Sequence, residues 1–290
     1  MDTCPICTSN QASAKFPFRK YQVYACSNCG FQWLHPQPTA EELSKIYTNE
    51  YFLGSEDFDT SEIVKKLKRA TAEMYLEQLL VDMASPHQNT SSLLEIGCGM
   101  GDFLLAAQAR GFQVSGLEVT DYLVEYANKR LGLPGVRKGY IESSNFEKAS
   151  FDIIAFFDVI EHVQDPIAYM ENVKDLLKES GKIYLVTPSL DSWSAKLLGS
   201  RWMEYKVEHL SYFNRRSLAH LLEKTGFKKI KFHPNFKMLS LDYINHHFVR
   251  FPVRGVSPLV NIVRRLSPGA IAHYPIRIVA SGMAVTAEKQ

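Results

Sequence analysis

The stretch LLEIGCGMGDF, residues 93–103, sets three glycines at alternate positions behind an apolar run. Gly97, Gly99 and Gly101 follow an acidic residue, Glu95. Glycines at the end of a buried strand give a backbone that a nucleotide can approach closely. The dinucleotide fingerprint G-x-G-x-x-G does not fit, because the sixth position counted from Gly97 is Asp102. The pattern is E-x-G-x-G-x-G. Glu95 would repel a pyrophosphate and suits a cationic amino group instead. Glu118 stands 21 residues after Gly97, at the end of the next strand, where a carboxylate can accept hydrogen bonds from ribose hydroxyls. The loop therefore asks for a nucleoside with a positively charged tail.

Working outward, strand and helix patterns alternate from residue 91. SSLLEIG reads as a buried strand, DFLLAAQARG as a helix closing at Gly111, and FQVSGLEV as a second strand. DYLVEYANKRLG reads as a helix, GVRKGY as a weaker strand and FDIIAFFDVI as a strongly apolar fourth. The helix DPIAYMENVKDLLKESG and the strand KIYLVTP follow, with a closing strand expected at 276–287. Such alternation predicts an α/β fold, a parallel sheet covered by helices on both faces. Ligands then sit beyond the carboxyl ends of the strands, where the glycine loop lies.

Glu95, the three glycines and Glu118, in this strand order, resemble motif I of the class I S-adenosylmethionine-dependent methyltransferases. The resemblance covers about residues 91–190. It implies a doubly wound, Rossmann-like sheet, with Gly97, Gly99 and Gly101 passing close to the methionine part of the cofactor. It also implies Glu118 on the ribose, and the turn Tyr140–Ile141–Glu142 beside adenine.

The fourth strand ends in FFDVIEHVQDP, residues 156–166. Asp158, Glu161 and His162 fall where that family brings substrate and sulfonium together. D-x-x-E-H-x-x-D-P resembles the branch that methylates small molecules, such as the ubiquinone-type O-methyltransferases. It does not resemble the N-P-P-Y loop of adenine or glutamine N-methyltransferases. After the fifth strand, Trp193, Trp202, Tyr205, Glu208, His209, Tyr212 and Phe213 mix aromatic and polar groups, which suits a lid over an organic acceptor at about 190–213. A hydroxyl acceptor needs a base, and histidine titrates in the right range. His209 is the expected base, with Glu208 or Tyr205 orienting it and His162 and Glu161 shaping the site. The plainer alternatives are that His209 pins a turn and that Glu161 and His162 cap a strand end.

The N-terminus carries a different chemistry. Cys4 and Cys7 form one C-x-x-C knuckle, Cys26 and Cys29 another, and 18 residues separate them. Four thiolates at this spacing suit one tetrahedral zinc, which leaves no open position and is therefore structural. About 30 residues cannot bury enough core to fold alone, so a metal staple makes sense. The expected organisation is a zinc ribbon at 1–35, a helical connector at 36–90 and a methyltransferase domain at 91–290. In the connector, Thr39 precedes Glu42 as a capping box. Residues 61–84 place Ile63, Leu67, Ala70, Met74 and Leu80 at helical spacing, and SPHQNTSS breaks the pattern. A ribbon ahead of a class I core, with CPICTSN, CSNCGFQWLHPQPTAEEL and the pair Tyr51–Phe52, resembles methyltransferases of sugar and natural-product biosynthesis.

A net charge of +2 over 290 residues gives no global reason to expect a nucleic-acid partner. Lys15, Arg19 and Lys20 are the only cations of the ribbon, thin for an RNA methyltransferase that grips RNA there. A non-catalytic cofactor-binding partner should have lost the glycine loop or Glu118, and both are intact. No segment reaches the roughly 20 apolar residues of a membrane span, and MDTCPICTSN lacks the features of a leader, so a cytoplasmic location is expected. Residues 228–277 hold nine Lys or Arg and one acid, Asp242. This basic insertion, about 236–274, suggests an anionic small-molecule or saccharide acceptor, an anionic lipid surface, or a homodimer contact. Within it Leu259, Ile262, Val263 and Leu266 make a short amphipathic helix.

Overall fold

The computed structural model describes residues 3–46, 62–83, 91–250, 252 and 255–290. The Tyr51–Phe52 pair and residues 85–90 of the polar break lie outside the described residues. A seven-stranded sheet forms the centre. Its strands are β4 (Ser92–Ile96), β5 (Gln113–Glu118), β6 (Val136–Lys138), β7 (Phe151–Phe157), β8 (Leu177–Pro188), β10 (Phe227–Leu239) and β11 (Ile276–Lys289). They lie in the order β10-β11-β8-β7-β4-β5-β6. The neighbours from β8 to β6 pair in parallel, and β11 runs antiparallel to both β8 and β10. The chain thus winds one way from β4 through β5 to β6 and the other way through β7 and β8. That reversal opens a crevice between the carboxyl ends of β4 and β7. Leu93, Leu94, Ile153 and Ile154 are fully buried, the unbroken apolar runs that a sheet covered on both faces requires.

Helices α3 (Asp102–Ala109), α4 (Asp121–Leu131) and α5 (Pro166–Leu176) are the crossovers. Asp165 caps α5, accepting from the N–H groups of Ile167 and Ala168, with Pro166 at its first turn. The sequence extends this helix to Gly181, but it ends at Leu176. Leu177 is buried and pairs with Phe151, so the chain enters β8 early and passes 178–181 as an irregularity before Lys182 meets Ile153.

The connector begins with α1 (Ala40–Ser44), where the Thr39–Glu42 capping box is complete. Its long helix is α2 (Glu62–Met83), which packs on α3 and β10. The buried face is Val64, Leu67, Ala72, Tyr75, Leu76 and Leu79. Of the expected stripe only Leu67 belongs to it. The helix carries apolar residues on several sides, so spacing alone does not choose the face. The hydrogen bond from the Tyr75 hydroxyl to Asn235 Oδ1, 2.6 Å, fixes the rotation.

The ribbon is β1 (Ala12–Phe18), β2 (Tyr21–Cys26) and β3 (Gln32–His35), a meander that gains a fourth strand, β9 (Ser211–Tyr212). Trp33 pairs with Ser211 and Gln32 with Tyr212. Tyr21, Val23 and Leu34 of the ribbon pack with Trp202, Tyr205, Val207 and Tyr212. The aromatics of the expected lid are therefore mostly core. The ribbon is too small to bury its own face and takes these side chains as its second layer. Only Trp193, on α6 (Trp193–Leu198), stays exposed among them. Helix α7 (Arg215–Lys224) follows, capped by Asn214. Between β10 and β11 the chain forms α8 (Leu241–Arg250), α9 (Val256–Leu266) and α10 (Gly269–Ala272).

Leu79→Ala should destabilise the fold by about 2–5 kcal/mol, because a fully buried leucine leaves a cavity. Val81→Ala, on the exposed side of the same helix, should change stability by less than about 0.5 kcal/mol. Denaturant unfolding of both variants checks the face.

Candidate active site

The glycine loop crosses the crevice between β4 and α3. Gly97 and Cys98 donate to the Leu117 carbonyl at 2.8 and 3.1 Å, which ties the loop to the end of β5. Gly97 has φ +70°, and a Cβ there would stand 2.8 Å from Val159 Cγ2. A side chain would thus be strained and would collide with the start of the Asp158–His162 turn. A Cβ at Gly99 would meet nothing within 4 Å, so its outer side is open to the cleft. Glu118 reaches back under this loop. Its carboxylate accepts from the N–H of Gly99 at 2.9 Å, of Val119 at 2.8 Å and of Thr120 at 3.2 Å. Arg130 holds the far side through the Met100 carbonyl and the Asp102 carboxylate, each at 2.7 Å.

The cleft has a volume of about 1640 Å³ and is lined by Gly97, Gly99, Glu118, Tyr140, Ile141, Asp158, Glu161, His162 and His209. Pockets for one drug-sized ligand run to about 1,000 Å³, so there is room for a nucleoside cofactor and an acceptor together. Tyr140 is 66% exposed at the rim, beside buried Ile141. Of the expected site residues, Gly101, Glu95, Tyr205 and Glu208 do not line the cleft. Gly101 opens α3 instead. Glu95 is buried beneath the loop, where it accepts from the Leu104 N–H, and its Oε2 has no partner. Burial, then the Asp102 and Glu118 charges, raise the Glu95 pKa well above the usual carboxylate range. Tyr205 donates its hydroxyl to Gln32 Oε1 of the ribbon at 2.8 Å, so it serves that interface and does not orient His209.

The opposite wall gathers the titratable groups. Asp158, with φ +53°, ends β7 and accepts from Lys237 Nζ at 3.0 Å. The Asp158 charge in turn raises the Lys237 pKa. Glu161 is 1% exposed, its Oε2 accepts from the Thr187 hydroxyl at 3.0 Å, and its Oε1 has no hydrogen-bond partner. Burial, then Asp158, raise its pKa well above the ordinary value. His162 donates from Nδ1 to the Glu208 carbonyl at 2.9 Å, which leaves the ring lone pair on Nε2. Burial lowers its pKa to about 4. His209 is buried, and its pKa falls well below the ordinary value through burial first and His162 second.

The two imidazoles meet edge to face, centroids 4.7 Å apart. Glu161, His162 and His209 bring a carboxylate oxygen and two ring nitrogens within 4.8 Å of one another. The join is backbone-made: the Leu210 N–H donates to the Glu161 carbonyl at 2.7 Å. His209 Nδ1 has no hydrogen-bond partner and lies 3.9 Å from Glu204 Oε2. Glu208 contributes its carbonyl to His162, so the carboxylate nearest His209 is Glu204, which the sequence reading missed. Lys237, Tyr243 and His247 also line the cleft unanticipated. Their only sequence signal was the basic excess around them.

At the other end of the chain the four ribbon sulfurs form one cluster. Cys4 Sγ lies 3.7 Å from Cys29 Sγ, and Cys7 Sγ 3.6 Å from Cys26 Sγ. A disulfide needs about 2.05 Å, whereas a tetrahedron of ~2.3 Å zinc–sulfur bonds has edges of about 3.8 Å. The cluster is therefore compatible with a zinc ribbon. Cys98 stands apart from this cluster, its thiol pushed up by burial.

A family described as a methyltransferase domain matches residues 68–231. An uncharacterized protein of Methanocaldococcus jannaschii is 26% identical over 187 residues, covering 64% of this chain and 80% of its own. The ubiquinone biosynthesis O-methyltransferase of Nitrosomonas europaea is 23% identical over 168 residues, covering 52% of this chain and 72% of its own. Among solved structures, a SAM-dependent methyltransferase from Archaeoglobus fulgidus matches with a TM-score of 0.53 at 17% identity, covering 82% of this chain and 99% of that one. The last likeness concerns the fold alone.

The histidines make a measurable demand on stability. An unfolded imidazole titrates near 6.5, so below that pH the unfolded chain binds more protons than the fold, and stability is lost as pH falls toward the folded values. Glu95 and Glu161 act in the opposite sense, since their raised pKa values make stability fall as pH rises above about 4.5. A variant comparison isolates the first effect. From about pH 7 to about pH 5, His162→Gln should gain on the order of 1–2 kcal/mol relative to the unsubstituted chain. Denaturant unfolding at both pH values measures it, and a constant difference would mean that His162 titrates normally.

Proposed function

The chain belongs to the methyltransferase-domain family, whose members use S-adenosylmethionine, and on that premise we propose that it methylates a small-molecule acceptor at a hydroxyl or carbon. Sugars, nucleotide-linked sugars, glycans and natural products are the acceptor classes this reading names. The observation that carries it is the buried pair His162 and His209 facing the glycine loop across one cleft. The ubiquinone biosynthesis O-methyltransferases among its relatives favour a hydroxyl.

The loop residues fit the cofactor. Gly97 and Gly99 leave backbone exposed where a side chain would obstruct, and Glu118 offers carboxylate oxygens at the cleft wall for ribose hydroxyls. Tyr140 and Ile141 would flank adenine, while Glu95 and Gly101 support the loop from beneath. The cofactor supplies an electrophilic methyl group on a sulfonium. Its transfer is an in-line displacement, so positioning can provide most of the acceleration. This chain's residues then have one proton to move. His209 is neutral through the physiological range and would take it from the acceptor, since the residue lines the cleft opposite the glycine loop. Glu204 lies beside the imidazolium that forms, and Glu161 can ionise to oppose it. Lys237 stands by for a negative charge on the acceptor, with Asp158 balancing it in the meantime.

The ribbon enters this reading as a brace. Cys4, Cys7, Cys26 and Cys29 would hold one structural zinc. The backbone N–H groups of Ile6 and Cys7 point at Cys4 and those of Asn28 and Cys29 at Cys26, the donors that thiolates need.

His209→Ala should lower turnover by roughly 10²–10⁴-fold with calorimetric affinity for S-adenosylmethionine unchanged. His162→Ala should cost less. Retained turnover in the first variant across about pH 6–9 would remove His209 as the base. Elemental analysis of chain purified without added metal should find one zinc. Cys26→Ser should lose it and lower turnover more than cofactor affinity, because β9 and His209 lean on the ribbon while the glycine loop does not. Two disulfides or iron in its place would overturn the zinc assignment.

A further inference from the structure

Helix α9 is turned inside out. Val256, Leu259, Ile262, Val263 and Leu266 recur at three- and four-residue steps or beside one, and so share one stripe. All five are exposed, Leu259 at 61% and Leu266 at 80%, and no residue of the helix is buried. The polar side faces inward, where Arg264 pairs with Asp242 of α8. A surface helix of a globular chain normally does the reverse. Ile271 and Tyr274, just beyond, are exposed at 62% and 67%.

We infer that α9 seats the chain on the surface of an anionic lipid bilayer. The charge of the same segment selects this occupant. Its one acid, Asp242, is taken by Arg264 and His273, so it offers no negative group to a partner. Exposed Arg265 lies beside the stripe, and exposed Arg277 carries its charge over the Phe236 ring at the base of the insertion. A second copy docked by its own two-fold would set these cations against each other. An anionic interface accepts both parts, acyl chains taking the stripe and headgroups the arginines. No described helix is long and apolar enough to cross a membrane, and an eleven-residue helix lying in the interface has no need to. The neighbouring α8 contributes Tyr243 and His247 to the cleft wall, so α9 packs on a helix that lines the cleft. The inference goes beyond the proposed reaction and holds whatever the acceptor is.

The test is co-sedimentation of the full chain with two vesicle types, phosphatidylcholine alone and phosphatidylcholine mixed with phosphatidylglycerol. Binding should be at least about tenfold stronger to the mixed vesicles and should weaken as salt is raised. Leu259→Glu combined with Leu266→Glu should lower it by about tenfold or more, with S-adenosylmethionine affinity unchanged as the control for folding. Arg265→Glu should lower binding to the mixed vesicles only. Failure to bind the mixed vesicles, or binding that survives the double substitution, would overturn the inference. So would a dimer seen by light scattering that the double substitution disperses, because the stripe would then belong to a second copy.

Discussion

A ribbon of about 35 residues cannot bury its own second face, and the placing of His209 against His162 follows from how that face is covered. Tyr21, Val23 and Leu34 take Trp202, Tyr205, Val207 and Tyr212 as their missing layer. Strand β9 then joins the ribbon sheet through Trp33 and Ser211. Once the 202–212 segment is fixed on both sides, Leu210 can reach the Glu161 carbonyl and His209 is held against His162. On its other side the ribbon joins the main core directly, where Cys4, Cys26 and Cys29 cluster with Phe213, Leu218 and Leu221. Its link to the 202–212 segment includes the β3–β9 ladder and a hydrogen bond from the Leu34 N–H to the Leu210 carbonyl.

The cleft wall is costly to build. Two imidazoles, Glu161 and, below the loop, Glu95 lie where charge is poorly solvated, and each shifts toward its neutral form. Glu161 keeps one oxygen unpaired, and so does Glu95, while His209 keeps one ring nitrogen. Unpaired buried polar atoms cost on the order of 1–3 kcal/mol each, so this wall is held together against a local penalty. The compensated charges, Asp158 just after β7 and Lys237 on β10, meet at the cleft although β8 and β11 separate their strands in the sheet.

The glycine loop and the carboxylate that ties it to β5 were legible because backbone geometry writes them into local sequence. Gly97 must lack a Cβ to pass Val159, and Glu118 must be acidic to collect three N–H groups, so type and spacing carry the message. The central strands and their cover of helices on both faces were legible for a similar reason, since short uninterrupted apolar runs suit strands buried on both faces. What escaped was set by long-range packing. The face of α2 is set by packing on α3 and β10, with a hydrogen bond between Tyr75 and Asn235, 160 positions apart. Tyr205 looked like an acceptor contact because it neighbours His209, yet its hydroxyl belongs to Gln32, 173 positions away. Lys237, Glu204 and His247 carry no motif at all, and only the fold brings them to the cleft.

Strand β10 connects the remaining two features. Asn235 is held by α2, Lys237 reaches Asp158 in the cleft, and from Leu239 the chain leaves for the insertion and returns on β11. Leu239 pairs with Ile276, so the insertion is closed at its base by the ladder that also positions Lys237. A load on α9 would therefore be borne by a strand anchored in the cleft, and the ladder from Phe236–Val279 to Leu239–Ile276 is the lever between them. An open loop in its place would leave the insertion free to move without the cleft. The paired strands join the base of the insertion to the strand that carries Lys237.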